Sequence, residues 1–158
     1  MKKIIICIFC GSKQGIDKKW SMFANEIGKL IGEKKWSIVY GGGNWGMMGE
    51  VARSATKHGS KVTGVITEDL ARIEPTINSI EKIIIVKTLE QRKFKMCSFS
   101  DVFLVLPGGI GTMDELFEVW TMNQLGIHDK TVILANLSNY FDKLLLFIED
   151  MVKKGFLS

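Results

Sequence analysis

Short runs of β-branched and apolar residues recur along the chain, nearly all separated by stretches with helical periodicity. IIICIF (Ile4 to Phe9), SIVY (Ser37 to Tyr40), KVTGVI (Lys61 to Ile66), EKIIIVK (Glu81 to Lys87), DVFLVL (Asp101 to Leu106) and KTVILAN (Lys130 to Asn136) read as strands. Lys18 to Glu33, Met47 to His58, Thr88 to Ser100, Thr112 to Leu125 and Tyr140 to Lys154 read as amphipathic helices. Strands this uniformly apolar need cover on both faces, which alternating strands and helices supply by winding a parallel sheet with short crossovers. The pattern therefore predicts an α/β fold: a single Rossmann-like doubly wound domain over residues 1–158, with a mainly parallel sheet flanked by helices. A chain of 158 residues, 46% hydrophobic, is enough for one such core. One stretch departs from the rhythm. Glu68 to Ser79, EDLARIEPTINS, is polar, contains Pro75 and reads as a mobile loop near a site.

Charge and cysteine usage exclude several classes of function. The net charge is +4, but the lysines fall in pairs at Lys2-Lys3, Lys18-Lys19, Lys34-Lys35 and Lys153-Lys154, spread along the chain. That is a solvated face rather than the clustered basic and aromatic groove that nucleic acid requires. A mild positive field still favours small anions. Cys7 and Cys10 form a C-x-x-C, yet inside a strand residues three apart point to opposite faces, so they share neither a metal nor a disulfide. Cys97 stands alone, as do His58 and His128, and no metal site is expected. No apolar run approaches a membrane span, and the apolar run before Gly11 is too short for a secretory signal. The expected location is the cytoplasm, with no membrane partner.

In doubly wound sheets ligands bind at the carboxyl ends of strands, near the point where the strand order reverses. Three strand ends carry small or glycine-rich turns: CGSKQG (Cys10 to Gly15), GGGNWGMMG (Gly41 to Gly49) and PGGIGT (Pro107 to Thr112). Each leads into a helix, whose free amides and positive dipole end can receive an anion. In PGGIGT, Gly108 and Gly109 clear the approach, Gly111 permits unusual dihedrals, and Thr112 either caps the helix or offers its hydroxyl to phosphate. Thr112 and Glu115 have the T-x-x-E spacing of a capping box. Glu115 also projects from the first turn at the ligand edge, with Glu118 on the same face, a pairing open to acid–base chemistry. Gly41, Gly43 and Gly46 match the G-x-G-x-x-G of dinucleotide folds, with Glu68 and Asp69 following the next strand. A lone match of this kind is weak, and it follows the second strand rather than the first.

TLEQRKFKM (Thr88 to Met96) begins with a second capping-box spacing, Thr88 to Gln91. Arg92, Lys93 and Lys95 then crowd the first two helical turns, where the dipole disfavours cations. Something negative is expected beside them, either Glu68, Asp69 or Glu74, or a phosphate held by the guanidinium fork.

Together the CGS turn, GGGNWGMMG, QRKFKM, PGGIGTMDE and QLGIHDK (Gln124 to Lys130) resemble the Lonely Guy family over nearly the whole chain. The pairing of R-K with P-G-G-x-G-T-x-x-E at this separation is highly specific. The resemblance implies hydrolysis of the N-glycosidic bond of N6-substituted adenosine 5′-monophosphates, releasing free base and ribose 5-phosphate without metal or organic cofactor. It implies Arg92 and Glu115 as the catalytic pair, and Lys93, Gly108, Gly109, Ile110, Gly111, Thr112 and Thr121 at the nucleotide, Gly109 to Thr112 holding the 5′-phosphate. Ser12 and Gly43 match positions of the other two loops, and Glu74 matches an acidic substrate contact. It also implies a homodimer with active sites at or near the interface. The chain stops at GFLS, where family members commonly continue with a further strand and helix. Relatives often carry the label lysine decarboxylase, for which this sequence offers no lysine in a recognisable pyridoxal phosphate context. Rival readings are a general AMP nucleosidase, a nucleotide-binding module without catalysis, and a nicotinamide oxidoreductase built on Gly41, Gly43 and Gly46.

Overall fold

Alternating strands and helices wind into a sheet of six parallel strands, seen in a computed structural model that describes residues 3–157. Lys2, one of the paired lysines, lies outside the described residues. The strands are β1 (Ile5–Phe9), β2 (Ser37–Tyr40), β3 (Val62–Thr67), β4 (Lys82–Val86), β5 (Val102–Val105) and β6 (Thr131–Leu134). The helices are α1 (Lys19–Glu33), α2 (Gly46–Lys57), α3 (Glu68–Ile73), α4 (Leu89–Phe99), α5 (Ile110–Gln124) and α6 (Asp142–Lys153).

The spatial order is β4-β3-β2-β1-β5-β6, so the chain winds outward from β1 in one direction and then returns to wind in the other. β1 lies at the reversal, with Ile8 opposite both Tyr40 of β2 and Leu104 of β5. The carboxyl ends of these central strands are thus neighbours, and they are the ends that carry the three glycine-rich turns.

Alternation along β1 feeds two cores. Ile6 and Ile8 pack with Ile38 and Tyr40 under Ala24 and Ile31 of α1 and Val51, Ala52 and Ala55 of α2. Cys7 and Phe9 face the other way, with Phe103 and Val105, under Met96 of α4 and Leu116 and Val119 of α5. Cys7 and Cys10 accordingly fall in opposite cores, and all three cysteines are free thiols. The α1–α2 contact is close because α1 presents glycine there: a Cβ on Gly28 would stand 2.5 Å from the Val51 carbonyl oxygen.

The expected loop at 68–79 is corrected in its first half, which forms α3. Thr67 caps it, its Oγ1 accepting from the Leu70 amide at 3.3 Å, while Glu68 and Asp69 sit at the positive end of the short dipole. Pro75 follows the helix end. The high polarity that suggested a loop belongs to a helix without a buried residue.

Candidate active site

A cavity of about 590 Å³ opens over the carboxyl ends of β1, β2 and β5, within the range of small-molecule sites. The turn after β1 forms one wall, the start of α2 with Leu70 and Glu74 another, and Pro107 to Thr112 with Glu115 the floor.

The PGGIGT turn is pinned by its ends. Leu106 donates to the Phe9 carbonyl at 2.9 Å, and Gly11 donates to that of Pro107 at 3.1 Å. α5 begins at Ile110 with Gly109 at the cap, and no side chain caps it. Its first internal bond runs from the Met113 amide to Gly109 at 3.2 Å, so the amides of Ile110, Gly111 and Thr112 precede the helical ladder. A Cβ added to Gly109 or Gly111 would meet nothing within 4 Å, which leaves the approach to these donors clear. The capping-box reading of Thr112 and Glu115 is therefore corrected. The helix starts two residues before Thr112, whose buried hydroxyl packs against Gly108 instead.

Glu115 lies one turn into α5 and is only 9% exposed. Burial pushes its carboxyl up to about 7, with Arg92 opposing the rise. Arg92 comes from α4, and main-chain oxygens of the sheet hold its guanidinium: Nε donates to Val65 at 3.0 Å and Nη2 to Gly41 at 3.0 Å. Nη1 is left facing Glu115 at 3.8 Å. One fork prong thus meets the carboxylate while the other two contacts fix the plane of the group.

The cap expected at Thr88 is present, its hydroxyl accepting from the Gln91 amide at 3.2 Å, while Gln91 Oε1 accepts from the amide of Lys87, just before the cap, at 3.0 Å rather than from that of Thr88. The anions beside the α4 cations differ from those expected. Glu115 faces Arg92, and Asp114 and Glu118 hold Lys93; Glu68, Asp69 and Glu74 do not. Lys95 instead lies over the Phe99 ring at 5.3 Å.

Ser12, Glu74, Arg92, Gly108, Gly109, Ile110, Gly111, Thr112 and Glu115 all line the cavity. The structure does not bring Gly43, Lys93 or Thr121 into that lining. Gly43 lies under the Glu74 carboxylate, which occupies the space a Cβ would need and accepts from the Trp45 amide at 3.2 Å. Thr121 is exposed on the outer face of α5, in a second, shallow depression with Met113, Phe117 and Met122. Sequence reasoning missed Trp20 and Tyr140. They meet edge to face at 5.6 Å, and the Tyr140 hydroxyl donates to the Gly108 carbonyl. No local signal marked either, although Trp20 lies just beyond the CGSKQG turn with its ring against Gly15. Lys13 and Gln14 also line the cavity, inside the CGSKQG turn that composition had singled out. Among the described residues no group of His, Cys, Asp and Glu could hold a metal ion, and no helix is long and apolar enough to cross a membrane.

The family model described as "Possible lysine decarboxylase" matches residues 48–158. Cytokinin riboside 5′-monophosphate phosphoribohydrolase LOG3 of Arabidopsis thaliana is 42% identical over 97% of this chain and 71% of its own length. LOG2 of the same plant is likewise 42% identical, over 97% of this chain and 72% of its own. Among solved structures, the molybdenum cofactor binding protein from Rippkaea orientalis shares the fold at a TM-score of 0.70 and 23% identity, over 96% of this chain and 99% of that one. The molybdenum cofactor carrier protein from Chlamydomonas reinhardtii does so at 0.68 and 22%, over 84% and 76%. Such identity speaks to fold alone. With residues 48–158 matched by the family model and two fifths of its positions shared with these plant enzymes across 97% of its length, the chain belongs to the Lonely Guy family.

Proposed function

We propose that this chain hydrolyses the N-glycosidic bond of N6-substituted adenosine 5′-monophosphates to free base and ribose 5-phosphate. The observation that carries this reading is one cavity holding both an uncapped helix start able to take a phosphate and a buried carboxylate one turn along the same helix. The 5′-phosphate rests on the amides of Ile110, Gly111 and Thr112, with Gly109 and Gly111 allowing the approach and Ser12 closing from the opposite turn. The ribose then lies toward Glu115, and Glu74 meets the substrate from the far wall.

As the C1′–N9 bond lengthens, positive charge grows on the ribose, and ionised Glu115 stabilises it. Water bonds to C1′ and gives its proton to Glu115, while the departing purine takes a proton from solvent. A guanidinium does not release protons at ordinary pH, so Arg92 acts by charge and orientation, favouring the ionised form of Glu115 and fixing its direction. No step needs a metal or an organic cofactor.

The active form is a homodimer in the cytoplasm. Support for the dimer comes from the depression on α5, where Met113, Phe117 and Met122 lie with the exposed Thr121 and with Asp114 and Glu118; a second copy covering this face would bring Thr121 close to a nucleotide site. Three unpaired thiols accord with a reducing compartment.

The test is incubation with isopentenyladenosine monophosphate and with AMP, followed by chromatography for free base. Release of isopentenyladenine is expected. Intact substrate with well-folded protein contradicts the reading, and equal release from AMP turns it into a general nucleosidase.

A further inference from the structure

Arg92 and Lys93 are consecutive on α4, and each reaches α5 by a different route. Arg92 points into the cavity toward Glu115. Lys93 lies outside the cavity, its Nζ 2.9 Å from Asp114 Oδ2 and ion-paired with Glu118 Oε2, and its side chain is only 17% exposed. Asp114 directly precedes Glu115, and Glu118 follows it by three residues, so the two gripping carboxylates bracket the cavity carboxylate on one helix. Neither of them lines the cavity.

The spacing at stake is tight. The Arg92 guanidinium is anchored to the sheet through Val65 and Gly41, whereas Glu115 travels with α5. Their 3.8 Å separation is near the outer limit of an ion pair, so a small outward drift of α5 would break it. The helices share a core through Met96, Cys97, Leu116 and Val119, and the Lys93 pairs close the seam beside the cavity.

We propose that Asp114 and Glu118, gripping Lys93, are positioning residues: they tie α5 to α4 and so hold the Glu115 carboxylate at its working distance from the Arg92 guanidinium. Lys93 serves as the strap between the helices. The groups that act on Glu115 are Arg92 and Lys93 from α4 and Asp114 and Glu118 from α5, and it in turn acts on the thiols of Cys7 and Cys10, on β1 and just beyond it.

The rate readout rests on the proposed hydrolase reading, so the test pairs it with a second that does not. Lys93→Met, Lys93→Arg and the double variant Asp114→Asn/Glu118→Gln are compared with the parent chain for kcat and KM. The Glu115 carboxyl is titrated in the free protein by carbon NMR, assigned by its loss in Glu115→Gln. Charge alone sends the titrations apart: upward in Lys93→Met, which leaves two anions unneutralised, and downward in the double variant, which removes them. Positioning predicts that kcat nonetheless falls about tenfold in both, with KM held within about twofold. Lys93→Arg, which keeps the strap, restores most of the rate. A rise in KM at constant kcat in Lys93→Met would make Lys93 a direct nucleotide contact and overturn the proposal. So would a kcat that rises in the double variant as its titration falls. If the parent chain hydrolyses nothing, the hydrolase reading fails, and the double variant's titration alone judges the strap: loss of the Arg92 pair raises the Glu115 midpoint there, whereas a midpoint that falls, as lost charge alone dictates, refutes the strap.

Discussion

Two glycine-rich turns leave the centre of the sheet and enter helices, yet they end up in opposite states. GGGNWG, after β2, is filled from within: a Cβ on Gly41 would strike Arg92, one on Gly43 the Glu74 carboxylate, and one on Gly46 the backbone of Ser12 and Lys13. In PGGIGT, after β5, Gly108 is likewise closed, by Thr112 and Gly11, while Gly109 and Gly111 stand in open space before the uncapped start of α5. The first turn uses glycine to let protein pack on protein, and the second to leave room for something that is not protein. Counting glycines does not distinguish them; what fills the missing Cβ space does. This also weighs against a dinucleotide site at Gly41, Gly43 and Gly46, since a carboxylate of the chain itself already lies at that helix start.

The comparison predicts that changes in the closed turn damage folding and changes in the open one damage binding or chemistry. Gly46→Ala should have the largest effect. Gly46 has a φ of +61°, and the added Cβ meets the main chain of Ser12 and Lys13, so stability should fall by about 3 kcal/mol or more. Urea denaturation reads the loss, and an unchanged midpoint would break the comparison on its closed side.

Glu115→Gln should cost kcat about a hundredfold or more while nucleotide affinity stays close to that of the parent. Its effect on stability has the opposite sign. The folded chain holds the Glu115 proton up to about pH 7 against 4.5 for the free group, so the stabilising contribution is whole below 4.5 and is lost as pH rises to about 7. Above that range the Gln variant should be the more stable by about 3 kcal/mol, and below pH 4.5 the two should converge. Hydrolysis by the parent chain should rise with a midpoint near pH 7, where the carboxylate forms in the folded chain. Denaturation curves and pH–rate profiles check both signs.

Gly109→Ala tests the open turn directly. The methyl meets no protein atom, so the melting temperature should hold, while KM for the nucleotide rises about tenfold from the obstructed approach. Glu74→Ala should cost about 1 kcal/mol of stability, less than Gly46→Ala, by releasing the Trp45 amide at the start of α2.

The sheet was legible in the sequence because strands buried on both faces read as unbroken apolar runs, and SIVY matches β2 residue for residue. α3 was not, because a six-residue helix without a buried side chain is too short to show a periodic stripe. The start of α5 was misplaced for a related reason. T-x-x-E spacing is the same for a true cap and for a helix already under way, and only the backbone of Gly109 separates the two. The partners of Arg92 and Lys93 were also hidden. The anions that answer them lie more than twenty residues away on α5, a pairing set by the crossover rather than by local sequence. The PGGIGT turn, Glu115 and Arg92 stood out by composition, spacing and charge, family resemblance paired Arg92 with Glu115, and their shared cavity comes from the reversal of strand order at β1.

The central claim is that phosphate belongs to the open turn and the sugar to Glu115. A crystal of Glu115→Gln soaked with an adenosine 5′-monophosphate tests it most directly. Phosphate should rest on the amides of residues 110–112, with C1′ within about 4 Å of the residue 115 side chain. Phosphate seated on the GGGNWG turn, with Glu74 displaced and C1′ far from residue 115, would contradict the account.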